Sequence, residues 1–304
     1  MKHLIDILDL STSEIDELIE KSLDIMQKPD QYSDKCKYKK LATLFYEPST
    51  RTRLSFEAAM LDLGGYVLGF SEANASSAAK GESVSDTVAV VSNYADIIAM
   101  RHPKEGAPMV ASFHSSVPII NAGDGGHFHP TQTLTDLLTI RREQGRLSNL
   151  KVGFCGDLKF GRTVHSLIGA LSRYENMEFY LISPEELKLP SYVKNEHIKN
   201  KSIPYHQGTS IEEVVDKLDI LYMTRVQRER FFNEEDYLRL RDSYILTPDK
   251  LLNSKEGLSI MHPLPRVNEI STKIDSDPRA AYFRQAANGK FIRMALILKL
   301  LDIE

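Results

Sequence analysis

Short apolar runs alternate with stretches of helical periodicity along almost the whole chain, and that alternation points to a parallel α/β architecture. Leu41 to Phe45 reads as a strand, after which Phe56, Ala59, Met60 and Leu63 recur at i, i+3, i+4 and i+7 on one helical face. Further strands are predicted at Tyr66 to Phe70, Ile97 to Met100 and Val117 to Asn121, with a helix over His129 to Arg142. Ahead of them, Ser11 to Glu14 has capping-box spacing and precedes Ile15, Leu18, Ile19, Leu23 and Met26, which sets a first helix. A second series opens with Lys151 to Gly156 and a helix carrying Val164, Leu167, Ile168 and Leu171. It adds strands at Glu178 to Ile182, Asp219 to Met223 and Ser259 to Met261.

With 304 residues, 42% of them hydrophobic, the chain has enough apolar material for two cores. The expected division is into residues 1–132 and 133–287, with the polar stretch Glu143 to Asn149 near the passage. A last helix over Ala280 to Asp302 is predicted to break at Asn288-Gly289. Its apolar residues Phe291, Met294, Ala295, Leu298 and Leu301 require a surface to dock on, and residues 288–304 are expected to pack back on the first domain.

In a doubly wound sheet, ligands bind beyond the carboxyl ends of the strands, and here those ends are rich in cations and hydroxyls. The first strand leads into Tyr46-Glu-Pro-Ser-Thr-Arg-Thr-Arg-Leu-Ser-Phe-Glu57. Its helix starts at Ser49 or Thr50, residues with N-cap chemistry. First-turn N–H groups, the helix dipole, the hydroxyls of Ser49, Thr50 and Thr52 and the Arg51 fork make a volume suited to phosphate. Arg51 and Arg53 are two residues apart and do not share a helical face, so Arg53 is expected to pair with Glu57 instead. Taken alone, the stretch favours an anion site over the alternative of an ordinary capped helix with two solvated arginines. The other strand ends bring Arg101 and His102, Gly123 to Gln132 with His129, Asp157 to Arg162, Thr224-Arg225-Val-Gln227, and His262-Pro-Leu-Pro-Arg266. Five such ends together describe a cleft lined with cations.

A formal charge of -4 gives no general attraction to nucleic acid or anionic lipid, so an anionic ligand depends on such local clusters. No apolar run approaches the ~20 residues of a membrane span and the first residues carry no signal-peptide pattern, which makes the cytoplasm the expected compartment. Cys36 and Cys155 stand far apart without a Cys-x-x-Cys partner, so neither a disulfide framework nor a cysteine zinc site is indicated.

The chain resembles the catalytic chains of the aspartate carbamoyltransferase family, within the aspartate/ornithine carbamoyltransferase superfamily. The resemblance rests on Ser49-Thr50-Arg51-Thr52-Arg53, on Lys80 in Ser76-Ser-Ala-Ala-Lys-Gly-Glu82, on Arg101, His129 and Gln132, and on Arg162, Arg225, Gln227 and Pro263-Leu264. It implies two doubly wound parallel-sheet α/β domains, a carbamoyl phosphate-binding one and an aspartate-binding one, with the active site in the cleft between them. The implied reaction moves the carbamoyl group of carbamoyl phosphate to the amine of L-aspartate, in pyrimidine biosynthesis. Carbamoyl phosphate would be bound by Ser49, Thr50, Arg51, Thr52, Ser76, Arg101, His129, Gln132, Pro263 and Leu264, and aspartate by Lys80, Arg162, Arg225, Gln227 and Leu264. Family members place the Lys80 loop in a neighbouring subunit's site, which implies a homotrimer. A separate zinc-bearing regulatory chain is a possible partner; no cofactor is implied on this chain, nor any nucleic acid or membrane partner.

The residues suit that chemistry. Amine attack on the carbamoyl carbon creates an oxyanion that requires preorganised donors, for which Thr52, Arg101 and His129 are candidates. Pro130 at a first helical position suits a His129 that donates in its neutral form. Departing phosphate is able to take the amine proton itself, so no dedicated base is named. A dicarboxylate requires two cationic anchors, and Arg162 with Arg225 supplies them. Ornithine carbamoyltransferases carry Cys in a His-Cys-Leu-Pro motif that here reads His262-Pro263-Leu264-Pro265, and the resemblance makes the Leu264–Pro265 bond cis. The alternatives are a carbamoyltransferase for another amino acid such as ornithine and a non-catalytic regulator that binds carbamoyl phosphate. A nucleotide module is disfavoured, because Gly153 to Asp157 lacks the Gly-x-Gly-x-x-Gly spacing.

Overall fold

The computed structural model describes residues 2–72, 81–226, 234–235 and 244–304. The chain folds as two compact units, one of residues up to Leu138 together with Ala287–Glu304 and one of Thr139–Ala286. The first passage therefore falls at 138/139, not at 132/133. It lies inside α5 (Pro130–Gln144), whose Leu134, Leu137, Leu138 and Ile140 are buried, and an unbroken apolar helix offers no linker to cut.

The first unit is built on a four-stranded parallel sheet of β1 (Lys40–Phe45), β2 (Tyr66–Phe70), β3 (Ile97–His102) and β4 (Ile119–Asp124), in the order β2-β1-β3-β4. Every β1 residue after Lys40 is buried, as an interior strand covered on both faces demands. The outer edge of β4 is closed by the N-terminal segment, where the Leu4 N–H donates to the Ile119 carbonyl at 2.9 Å and the Asn121 N–H to that of Leu4 at 2.8 Å. Around the sheet run α1 (Thr12–Gln27), α2 (Thr50–Asp62), α3 (Val84–Val91) and α4 (Ala107–His114). The strand order reverses between β1 and β3, so the crevice of this unit opens where β1 delivers residues 46–53 and β3 delivers Arg101.

The second unit repeats the plan with β5 (Lys151–Cys155), β6 (Glu178–Ile182), β7 (Tyr205–Gly208), β8 (Ile220–Met223) and β9 (Ser259–Met261), ordered β7-β6-β5-β8-β9. Here α6 (Arg162–Leu171) and α7 (Ser191–His197) flank the sheet. Edge strand β7 has no apolar run, since Tyr205-His-Gln-Gly208 leaves its two central side chains in solvent, and sequence pattern gives no sign of it. At the core Phe154 lies 5.9 Å from both Phe179 and Tyr222 between ring centroids. The switch point falls between β5 and β8, at the start of the Asp157 to Arg162 loop and of Thr224-Arg225.

The terminal helix α8 (Tyr282–Leu300) runs without the break predicted at Asn288-Gly289. Glycine inside a helix costs about 1 kcal/mol against alanine, which packing readily outweighs. The packing partner is Arg293, because a Cβ at Gly289 would stand 2.5 Å from its Nη1. From Ala287 onward α8 belongs to the first unit, where Lys290 pairs with Asp62 and Lys299 with Glu17.

Candidate active site

Ser49 occupies the N-cap of α2, yet its side chain makes no capping hydrogen bond, unlike Ser11 at α1 and Ser83 at α3. An α-helix leaves its first-turn N–H groups outside its own ladder, and a hydroxyl not spent on the cap stays available to a ligand at the same place. Phe56, Ala59, Met60 and Leu63 are fully buried and hold the helix against the sheet. Thr50 and Arg51 are exposed while Thr52 is buried. Arg53 turns away to Glu57, its Nε donating to Oε1 at 2.6 Å, and Thr43 donates to the same oxygen at 3.1 Å.

Arg101, near the end of β3, is held from the loop that precedes α2: its Nη2 lies 2.7 Å from the Glu47 carboxylate. Its Nη1 reaches the Ala122 carbonyl at 3.5 Å. A Cβ at Gly123 would meet that Nη1 at 2.9 Å and His129 Cδ2 at 3.4 Å. Arg101 and His129 therefore come together over the bare backbone of Gly123, whose φ of 118° is itself glycine territory. His129 is buried and starts α5, its carbonyl accepting the Gln132 N–H at 2.9 Å and the Thr133 N–H at 3.2 Å, with Pro130 the first helical residue. The side-chain amide nitrogen of Gln132 donates to Asp136 at 2.7 Å. A carboxylate accepts only from the NH₂ side, so the Gln132 carbonyl oxygen is left as an acceptor.

Beneath this cluster lies a cation that periodicity cannot reveal. Arg293 of α8 is buried, with Nη1 2.8 Å from the Gly289 carbonyl, Nη2 3.3 Å from Thr131 Oγ1, and its guanidinium 4.9 Å from the Phe56 ring centroid. Burial lowers its pKa to about 10 against the opposing pull of buried Asp136, so it is charged at neutral pH. One side chain thus ties the terminal helix to the middle of α2 and to the start of α5.

In the second unit, Gly156 follows β5 with φ 116°, and a Cβ there would stand 2.4 Å from the Thr224 carbonyl oxygen. Thr224 Oγ1 reaches the Cys155 carbonyl at 3.3 Å and that of Asp157 at 3.4 Å. This closure of the β5 and β8 ends sets the start of the loop that leads to Arg162, the first residue of α6; Arg225 directly follows Thr224. His165 steadies that loop by donating from Nε2 to the Leu158 carbonyl at 2.8 Å. Burial, aided by His197, keeps its pKa below the usual imidazole value.

The loop after β9 carries Pro263 and Leu264, with a cis Leu264–Pro265 bond and Leu264 at φ 53°. A left-handed leucine costs roughly 1–2 kcal/mol and persists only where its surroundings fix it. The fixing group is His262, whose Nδ1 accepts the Leu264 N–H at 2.8 Å while Nε2 lies 2.7 Å from Glu269 Oε1. Burial opposes the Glu269 charge, but His262 and the Val267 N–H hold its carboxyl below the ordinary range. Of the remaining expected residues, Ser76, Lys80 and Gln227 lie outside the described residues. Glu47, Gly123, Glu269 and Arg293 are positions that sequence reasoning did not single out. Among the described residues no cluster of metal-ligating side chains occurs, and no helix is long and apolar enough to cross a membrane.

A family model described as "Aspartate/ornithine carbamoyltransferase, carbamoyl-P binding domain" matches residues 2–142, and one described as "Aspartate/ornithine carbamoyltransferase, Asp/Orn binding domain" matches residues 148–300. The chain is 66% identical to a protein of Lachnoclostridium phytofermentans named aspartate carbamoyltransferase catalytic subunit, over 100% of this chain and 99% of that one. A protein of the same name from Clostridium kluyveri is 62% identical, with the same coverage. Among solved structures, the catalytic subunit of M. jannaschii aspartate transcarbamoylase superposes with a TM-score of 0.93 at 48% identity, covering 99% of this chain and 98% of that one. Aspartate transcarbamoylase from Trypanosoma cruzi in complex with N-(phosphonacetyl)-L-aspartic acid gives 0.91 at 38% identity, covering 97% and 94%.

Proposed function

The chain belongs to the aspartate/ornithine carbamoyltransferase family, and from that premise we propose that it is an aspartate carbamoyltransferase. It transfers the carbamoyl group of carbamoyl phosphate to the amine of L-aspartate, giving N-carbamoyl-L-aspartate and phosphate, the step by which aspartate enters pyrimidine biosynthesis. The observation that carries this reading is the meeting of Arg101 and His129 over Gly123, at the switch point that also receives the start of α2.

In the proposed mechanism the phosphate lies on the first turn of α2, held by Ser49, Thr50, Arg51 and Thr52 with Ser76. The carbonyl oxygen of the carbamoyl group takes hydrogen bonds from Thr52, Arg101 and His129, and the Gln132 carbonyl oxygen accepts from the carbamoyl NH₂. The carboxylates of aspartate are gripped by Arg162 and Arg225, with Gln227 and Lys80 completing the pocket. Backbone groups of Pro263 and Leu264 face the carbamoyl nitrogen and the incoming amine. The neutral amine adds to the carbamoyl carbon, forming the new C–N bond and a tetrahedral oxyanion that the three donors stabilise. Collapse breaks the C–O bond to phosphate, which leaves with the amine proton. The working unit is a homotrimer with Lys80 supplied by the neighbouring copy, and the relatives' name, catalytic subunit, is in keeping with a separate regulatory chain.

Initial rates with carbamoyl phosphate and either L-aspartate or L-ornithine test the reading. Product from aspartate alone is expected. Product from ornithine alone would reassign Arg162 and Arg225, and no product from either would remove the enzyme reading.

A further inference from the structure

The proposed reaction places Pro263 and Leu264 against the reacting groups, and the loop that carries them is held in an unusual way. Leu264 sits in left-handed backbone conformation, and its N–H ends on His262 Nδ1 at 2.8 Å. A ring nitrogen that accepts carries no proton, so the proton of neutral His262 is on Nε2, 2.7 Å from Glu269 Oε1. The other Glu269 oxygen accepts the Val267 N–H at 2.9 Å and the Asn268 N–H at 3.0 Å. Buried Gln285 takes the His262 N–H at 2.9 Å. One buried carboxylate therefore holds both the entry and the exit of residues 262–268. The first unit supplies a contrast: at the end of β3, His102 Nδ1 accepts the Lys104 N–H at 2.9 Å in the same i to i+2 pattern, but that ring packs at a tilt against Tyr46, 4.7 Å between centroids.

We infer that Glu269 is a positioning residue for carbamoyl transfer: it fixes the Nε2–H tautomer of His262, and that tautomer seats the Leu264 backbone. The inference rests on the proposed activity. Glutamine at 269 has the same shape but cannot satisfy the site. With its NH₂ toward Val267 and Asn268 it opposes two donors. With its NH₂ toward His262 it forces the proton onto Nδ1, where it opposes the Leu264 N–H.

Two substitutions of His262 separate positioning from stability. Asparagine places an acceptor where Nδ1 stands and keeps the Leu264 bond, whereas glutamine places a donor where Nε2 stands and keeps Glu269 satisfied. His262→Gln is expected to retain Tm within a few degrees while its kcat/KM for aspartate falls about a hundredfold, the scale of a small misplacement in an active site. Glu269→Gln should join it in that loss. His262→Asn is expected to lose Tm but keep kcat/KM within about tenfold of the parent, ahead of the other two. The imidazole ¹⁵N shifts of His262 should report the Nε2–H tautomer in the parent protein. Activity that follows Tm across the three variants would overturn the inference, as would a fully active His262→Gln or an Nδ1–H ring. A parent protein that makes no carbamoyl-aspartate would instead strike the proposed function on which the inference stands, while an active parent with an unaffected His262→Gln strikes the inference alone.

Discussion

At the scale of single residues, the proposed chemistry depends on donors fixed before substrate arrives. Arg101 is held by Glu47 on one side and leans on Gly123 on the other, so its guanidinium has little rotamer freedom left to lose. Removing one preorganised oxyanion donor costs roughly 10²–10³ in turnover. Arg101→Ala and His129→Ala are therefore each expected to lower kcat by that order, checked by steady-state rates, with a smaller effect in thermal unfolding. Gly123→Ala tests the same cluster by filling it. The added methyl meets Arg101 at 2.9 Å, and φ of 118° is hostile to alanine, so the expected outcome is a raised KM for carbamoyl phosphate together with about 1–3 kcal/mol of lost stability. Titration with carbamoyl phosphate and denaturant unfolding read the two effects separately.

At the scale of elements, the contrast between helix starts decides what each N-cap is for. Ser11 accepts the Glu14 N–H at 3.2 Å and Glu14 answers to the Ser11 N–H at 2.9 Å, whereas the Ser49 side chain caps nothing. Ser11→Ala is expected to cost about 1 kcal/mol in unfolding and leave rates unchanged. Ser49→Ala should leave the unfolding midpoint nearly in place and raise the KM for carbamoyl phosphate. Periodicity made the buried strands and amphipathic helices legible, because Leu41 to Phe45 or Val164 to Leu171 cannot satisfy their apolar residues otherwise. The cationic strand ends were legible for the same reason, once the strands were placed. Solvated edge β7 carries no such signal, and Asn288-Gly289 looks like a stop unless Arg293 is seen in the space the glycine leaves. Glu47, Gly123 and Glu269 escaped notice because each acts on a partner distant in the chain or across a turn, where spacing is silent.

At the scale of the whole molecule, the two units share one electrostatic liability. Each contains histidines kept neutral mainly by burial: His3 and His102 in the first unit, with Lys2 and Lys104 adding to the effect, and His165 in the second, with His197 adding to it. The folded pKa of each lies below the ordinary 6.5, so the unfolded chain binds these protons more tightly. Their stabilisation is complete above that value and is lost as pH falls below it. A second loss comes at lower pH, where Asp275 is held at about 2 against an ordinary 3.8, chiefly by the Arg266 hydrogen bond. Depressed carboxyls lose their contribution as pH falls through the folded value, so both effects have the same sign. Tm is therefore expected to be flat above about pH 7 and to decline in two stages, one beginning near 6.5 and one below 4. Substitutions that keep the hydrogen bonds without the ionisable ring isolate the upper stage. His102→Asn leaves an acceptor for the Lys104 N–H, and His165→Gln leaves a donor for the Leu158 carbonyl. In the double variant, calorimetry across pH 7 to 5 should show the upper decline reduced and the lower one intact. An unchanged upper decline would place the acid sensitivity on other groups.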